Sequence, residues 1–190
     1  MIPYILVALF VAAVNSQIVT PGNCPQVTVV GNFSLELYLD RWYQYSSYPG
    51  PNELGRCDYV DYYDNSFGNV AVFEATINNT NNQQQFVTGR LEYSSSVTDG
   101  KLLISYPLLS ETRYDYWVLG VDYASFAVVF SCSSDGVEAR QNSWVITREQ
   151  YPSPEVLNAV QDVIDQNGLP NRYVNTVQTD CVPFIPPGQV

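Results

Sequence analysis

From Trp42 onward the chain runs in short stretches where apolar and polar positions alternate, broken at regular intervals by turn residues. Residues 42–47 lead into Pro49-Gly50-Pro51, 57–63 end at Asp64-Asn65, 70–77 end at Asn78-Asn79, and 86–93 are followed by Asp99-Gly100. Residues 101–106 stop at Pro107, and 114–121, 126–132 and 143–148 complete the series. β-Branched and aromatic residues dominate these runs, so the pattern predicts eight strands in order with short connections, a sandwich or an up-and-down barrel. The polar stretch 78–85 reads as a loop tip. One segment has a different period. Ser153 suits an N-cap and Pro154 the first helical position, Val156, Leu157, Val160, Val163 and Ile164 fall on one helical face, and Gly168 and Pro170 suit its end. The pattern predicts one amphipathic helix lying outside the β-structure.

Period two divides each strand into two faces. If Arg90 and Glu92 face water, Val87, Gly89 and Leu91 turn inward; if Lys101 faces water, Leu102, Ile104 and Tyr106 turn inward. Asp61 facing out places Val60 and Tyr62 inside. In 114–121 both faces are apolar and alternation leaves the choice open.

Composition narrows the chemistry. Net charge is −11, which disfavours nucleic acid and anionic membrane surfaces as partners. There is no histidine, so the commonest general base and zinc ligand are missing and no metal site is expected. The one lysine, Lys101, faces out in this reading and cannot form a Schiff base inside. The apolar run 5–14 followed by Ser16 reads as a signal peptide over 1–16, leaving one domain over 17–190. No second apolar run is long enough to be an integral membrane segment. The short, proline-rich tail 182–190 is unlike a GPI signal. Four cysteines in a secreted, extracellular chain imply two disulfides, with three pairings open. Asn32-Phe33-Ser34 and Asn78-Asn79-Thr80 are N-glycosylation sequons, so Asn32 and Asn78 are candidate acceptors.

The order of landmarks resembles the lipocalins, most closely the group of apolipoprotein D, insect bilin-binding proteins and crustacyanins. The resemblance runs from Cys24-Pro25 through Asp40-Arg41-Trp42, Gly55-Arg56-Cys57, Tyr116-Trp117-Val118-Leu119-Gly120-Val121-Asp122-Tyr123 and Trp144-Val145-Ile146-Thr147-Arg148 to Cys181. Two positions depart from the family motifs: Asp40 replaces the glycine of G-x-W, and Val121 replaces the threonine of T-D-Y. Asp tolerates left-handed backbone better than most residues, so Asp40 implies a small stability cost and no loss of fold.

The resemblance implies an all-β fold, an eight-stranded antiparallel up-and-down barrel with one C-terminal helix packed outside. It implies disulfides Cys24–Cys132 and Cys57–Cys181, and Arg148 stacked on Trp42 at the closed end in a structural role. It implies a carrier holding a small hydrophobic molecule non-covalently, such as a bilin, carotenoid, sterol or fatty acid, with no further cofactor. The candidate ligand-binding residues are Gln44, Val60, Tyr62, Val87, Leu91, Leu102, Ile104, Tyr106, Trp117 and Leu119; Trp117 is placed inside by the resemblance alone, and Gln44 is the polar candidate. Two alternatives stand beside the carrier: a lipocalin-fold enzyme acting on a lipid, with Asp58 and Asp115 the only strand acids able to turn inward, and a closed-barrel interaction or signalling protein. No catalytic residue is assigned.

Overall fold

A computed structural model describes residues 17–49, 55–65, 70–95 and 99–181. The expected leader 1–16, the tail 182–190 and Gly50-Pro51 of the first turn lie outside the described residues. The elements in order are β1 (Ile18–Pro21), α1 (Leu35–Tyr38), β2 (Asp40–Ser47), β3 (Gly55–Asp64), β4 (Val70–Asn78), β5 (Gln84–Tyr93), β6 (Lys101–Tyr106), β7 (Ser110–Asp122), β8 (Phe126–Ser134), β9 (Glu138–Thr147), α2 (Pro154–Gln166) and β10 (Val174–Asn175).

Each strand from β2 to β9 pairs antiparallel with its successor, and β9 returns to β2, Tyr43 opposite Thr147 and Ser47 opposite Trp144. This closes the eight-stranded up-and-down barrel and removes its sheet edges. β1 adds to β9 and β10 to β2, beyond the eight expected strands. Several strands run longer than the alternation suggested, because hairpins continue the ladder past the last apolar residue: β7 begins at Ser110 and β9 at Glu138. Arg148, read as the end of the last strand, falls just beyond it.

Two hydrophobic clusters result. One fills the barrel, with Tyr38, Trp42, Val60, Tyr62, Val72, Leu91, Leu102, Tyr116, Val118 and Val129 among its members. The other lies outside, between the β7–β9 wall and α2, where Leu119, Phe126, Val128, Phe130 and Val145 meet Val160 and Ile164. Helix α2 forms where its pattern indicates. The Ser153 side chain accepts from Val156 N, Pro154 opens the first turn, and Gly168 at φ 59° ends the helix with Leu169 N donating to the Ile164 carbonyl. The helix settles closely because β7 carries Gly120 beneath it. A Cβ there would stand 2.5 Å from a Val163 methyl.

The base of the barrel is closed by α1 and by Arg148. Ser34 caps α1, and Trp42 Nε1 donates to the Tyr38 carbonyl at 2.8 Å. The Arg148 guanidinium lies 3.7 Å over the Trp42 ring. It also donates to the carbonyls of Tyr123 (2.9 Å), Arg41 (2.9 Å) and Leu37 (3.2 Å). One planar fork thus ties three chain segments together through their carbonyls, a geometry lysine cannot reproduce. Asp40 takes φ 72°, the left-handed conformation its position in the motif implied. The disulfides are Cys24–Cys132 and Cys57–Cys181, spanning 108 and 124 residues. On chain entropy alone, loops of that length are worth ~4–5 kcal/mol each.

Gly120→Ala is expected to lower unfolding free energy by about 1–3 kcal/mol in urea titrations, by lifting α2 off the wall. Gly31→Ala, where a Cβ meets nothing within 4 Å, stays within about 0.5 kcal/mol of the parent. Arg148→Lys keeps the charge and loses the fork, and is expected to cost about 1–3 kcal/mol in the same assay.

Candidate functional site

The barrel interior is packed from its base upward. At the bottom, Tyr38, Trp42, Leu91, Leu102 and Val118 are 0% exposed. Three tyrosines there form a chain of hydroxyls: Tyr38 to Tyr116 at 2.9 Å and Tyr116 to Tyr62 at 2.6 Å. Burial first, and the neighbouring phenols second, push Tyr38, Tyr62 and Tyr116 well above the usual phenol range, so all three stay neutral. Tyr62 therefore spends its hydroxyl on the base.

Higher up, the inward positions are only half-buried. On β4, Val70 and Val72 belong to the inner cluster, and period two puts Glu74 and Thr76 on the same face. On β3, Val60 and Tyr62 carry Asp58 inward with them. Val87 stands opposite Glu74, and Gly89 opposite Val72. A Cβ on Gly89 would lie 2.6 Å from the Ser105 carbonyl and 3.0 Å from the Tyr106 ring. The missing side chain lets that ring lie across β5, and Tyr106 Oη reaches Glu74 Oε1 at 2.5 Å. Enclosure raises the Glu74 carboxyl above its usual range, partly offset by the Tyr106 hydroxyl and reinforced by Asp58. Asp58 is raised by burial, partly offset by Thr76. Tyr106 is raised well above the phenol range by burial and by Glu74. Glu74 is deeply enclosed yet keeps some open surface, so that surface faces the barrel interior.

Of the residues expected inside, Val60, Tyr62, Leu91, Leu102, Ile104 and Tyr106 join the inner cluster. Gln44 shares a strand face with Trp42, but its amide donates to Thr176 Oγ1 at 3.0 Å. Trp117 and Leu119 are corrected: both lie in the outer cluster, beneath α2. Their neighbours Tyr116 and Val118 face in. The reason is register. Trp117 pairs with Lys101 on β6, whose ammonium lies 5.4 Å over the indole, and with Phe130 on β8. Directly opposed residues share a face, so the outward lysine was the signal for an outward tryptophan. Alternation then puts Leu119 outside, and a bulge between Val118 and Gly120 keeps Gly120 on that same outer face.

The acids also need correction. Asp58 turns inward, Asp115 stands opposite Leu103 on the outer face, and Glu74, not anticipated, turns inward. Trp144 was missed as well; it packs against the inner cluster. Of the sequon residues, Asn32 is exposed at φ 54°, whereas Asn78 is half-buried and its Oδ1 accepts from Thr80 N at 2.8 Å.

The raised carboxyls tie stability to pH. A carboxyl whose folded-state pKa exceeds its unfolded value favours the fold below the ordinary carboxylate range, and that contribution is lost as pH rises through the raised value. Glu74→Gln, which can still accept from Tyr106, is therefore expected to raise Tm at neutral pH. The gain should fade as pH falls to about 4, where both forms are neutral. Thermal scans across that range check it.

The family model described as "Lipocalin / cytosolic fatty-acid binding protein family" matches residues 39–180. The Lazarillo protein of Schistocerca americana is 29% identical over 177 residues, 90% of this chain and 82% of that protein. Apolipoprotein D of Mus musculus is 29% identical over 173 residues, 86% of this chain and 87% of that protein. Among solved structures, insecticyanin from the tobacco hornworm Manduca sexta superposes with a TM-score of 0.71 at 21% identity, covering 84% of this chain and 88% of that one. Lobster apocrustacyanin A1 superposes with a TM-score of 0.71 at 18% identity, covering 84% and 91%. With its closed barrel, its flanking helix and a family match over most of its length, this chain belongs to the lipocalins.

Proposed function

We propose that this lipocalin is a secreted, extracellular carrier that holds one small hydrophobic molecule non-covalently in the upper half of its barrel. The observation that supports this most is the gradient of packing. Side chains at the base are wholly covered, whereas the inward residues Glu74, Thr76, Val87, Tyr106 and Trp144 keep open surface. A barrel that served only as an interaction scaffold would be expected to be filled to the top. An eight-stranded barrel has room for one small ligand, and such sites are largely apolar with a few polar groups. Val60 and Ile104 supply the apolar wall, above Leu91 and Leu102, which are sealed at the base. Gln44, Tyr62, Val87 and Tyr106 complete the proposed lining. All four cysteines lie in disulfides, so attachment through a thioether has no thiol to use. A pigment, bilin or carotenoid, is the class to test first, with sterols and fatty acids beside it.

One observation favours a second reading. Asp58 and Glu74 form an enclosed carboxyl pair, the kind of group that serves acid–base chemistry in an enzyme acting on a lipid. Catalytic turnover of lipid substrates that disappears in Glu74→Gln, with binding retained, would replace the carrier by that enzyme.

The carrier reading is tested by titrating the protein with retinoids, steroids, bilins and fatty acids while following tryptophan emission. At least one class is expected to quench at micromolar concentration. Trp144→Phe is expected to abolish most of the quenching and Trp117→Phe to preserve it, since Trp144 packs against the inner cluster with open surface, Trp117 lies in the outer cluster, and Trp42 is sealed at the base. Absence of any binding, by fluorescence and by mass spectrometry of an organic extract of the secreted protein, would remove the proposal.

A further inference from the structure

Below its mouth, where Arg140 pairs with Glu138 on the inward register of β9, the interior carries two carboxyls and no cation. The sequence has eight Lys and Arg side chains and no histidine, and all eight lie among the described residues. Arg41 pairs with Asp61, Arg113 with Glu92 and Arg140 with Glu138. Arg56 bonds Asn82, Lys101 lies over Trp117, and Arg148 closes the base. Arg90 and Arg172 are exposed. Asp61, Glu92 and their partners belong to the outer face of the wall. The Arg140–Glu138 pair stands at the mouth near the β8–β9 turn, on the far side of the ring from β4. No side chain of this protein therefore offers counter-charge to Asp58 and Glu74.

We infer that the upper barrel is built to receive a hydrophobic molecule bearing a protonated amine, with the ammonium seated against Glu74 and Asp58 and the apolar body against Val60, Val87 and Ile104. This rests on the carrier reading above and names the ligand class of that same site. Three features of the wall support it. Glu74 and Asp58 come from adjacent strands and face the same space, and Asp58 adds to the upward shift of the Glu74 carboxyl. Tyr106 is laid across Gly89 so that its hydroxyl fixes one oxygen of Glu74, which orients the carboxyl without neutralising it. Ordinary apolar cargo requires neither acid, and both are costly to enclose without a partner. An ammonium supplies the missing charge and up to three N–H donors. A ligand carboxylate in the same place would meet two like charges, which sets this pocket against free fatty acids.

pH dependence follows from the groups that face Glu74: Asp58 on β3, Tyr106 on β6, and the phenols of Tyr62 and Tyr116 below; β5 contributes only Val87, Gly89 and Leu91. The phenols stay neutral across the working range, so the two carboxyls set the profile. Acidification protonates them and weakens amine binding, beginning above the ordinary carboxylate range because enclosure has raised both.

Isothermal titration calorimetry with n-decylamine, n-decanol and decanoate, which share one hydrophobic body, tests the inference on the full protein. At neutral pH the amine is expected to bind about tenfold or more tighter than the alcohol, with decanoate weakest. Glu74→Gln should bring amine and alcohol within about threefold of each other. Lowering the pH should weaken the amine in the parent and much less in the variant. Asp58→Asn provides the same comparison should Glu74→Gln fail to fold, and the three-probe ranking in the parent requires no variant. Decanol or decanoate binding as tightly as decylamine would overturn the amine inference and leave the carrier standing. Absence of binding by all three, together with the retinoid, steroid, bilin and fatty-acid panel, would overturn both.

Discussion

Closure of the sheet through β2 is the constraint on which the rest depends. β2 alone bonds to both β3 and β9, and the shift between Gln44 and Ser46 bends it enough to serve two neighbours. Once the ring is closed, every strand has an inside and an outside, and a side chain's position in the alternation decides its environment. The Trp42 plug, the tyrosine chain and the carboxyl pair all inherit their places from that closure. The Arg148 fork sits where α1, β2 and the β7–β8 turn converge, and stitches the three together through their carbonyls.

Inside and outside are buried differently. The outer cluster is covered by a helix and by the N-terminal segment anchored through Cys24–Cys132, so its residues are ordinary core. The inner cluster is core only at the base. Above the tyrosines the wall turns polar on β3, β4 and β6, and a charge-bearing side chain enclosed there has neither bulk water nor a protein cation to stabilise it. A lining of that kind is poor filler, and it is suited to something that arrives with complementary chemistry.

Where a strand carried one charged residue beside apolar ones, its faces were legible in the sequence. Lys101, Arg90 and Asp61 each marked an outward position and so identified Leu102, Leu91 and Val60 as inward. β7 was not legible from its own alternation, since α2 makes its outer face as apolar as its inner one. Likeness of motif then pointed Trp117 the wrong way, while its cross-strand partner Lys101 held the right answer. Glu74 was missed for the opposite reason: charge is normally a mark of the solvated face, and at this position the rule inverts. The proline and glycine signals that bound α2 were strong enough to fix the helix from Ser153 to Gly168. Gly89 and Gly120 carried no such local signal, because what each makes room for, the Tyr106 ring and Val163, lies far off in sequence.

The C-terminal segment gives the wall an unusual seam. β2 and β3 are bonded only from Asp40 to Tyr43; above that they part, and residues from β10 onward fill the gap. Thr176 N donates to the Tyr45 carbonyl, Cys57 N to the Val177 carbonyl, and the Gln178 amide to the carbonyls of Gln44 and Asp58. Cys181 then rivets the insert to Cys57. The upper circumference on this side is thus set by a spliced-in chain end held covalently rather than by a continuous ladder. A thiol reductant would act there like a loosened hoop on a cask, freeing the staves beside Asp58 while the base stays bound.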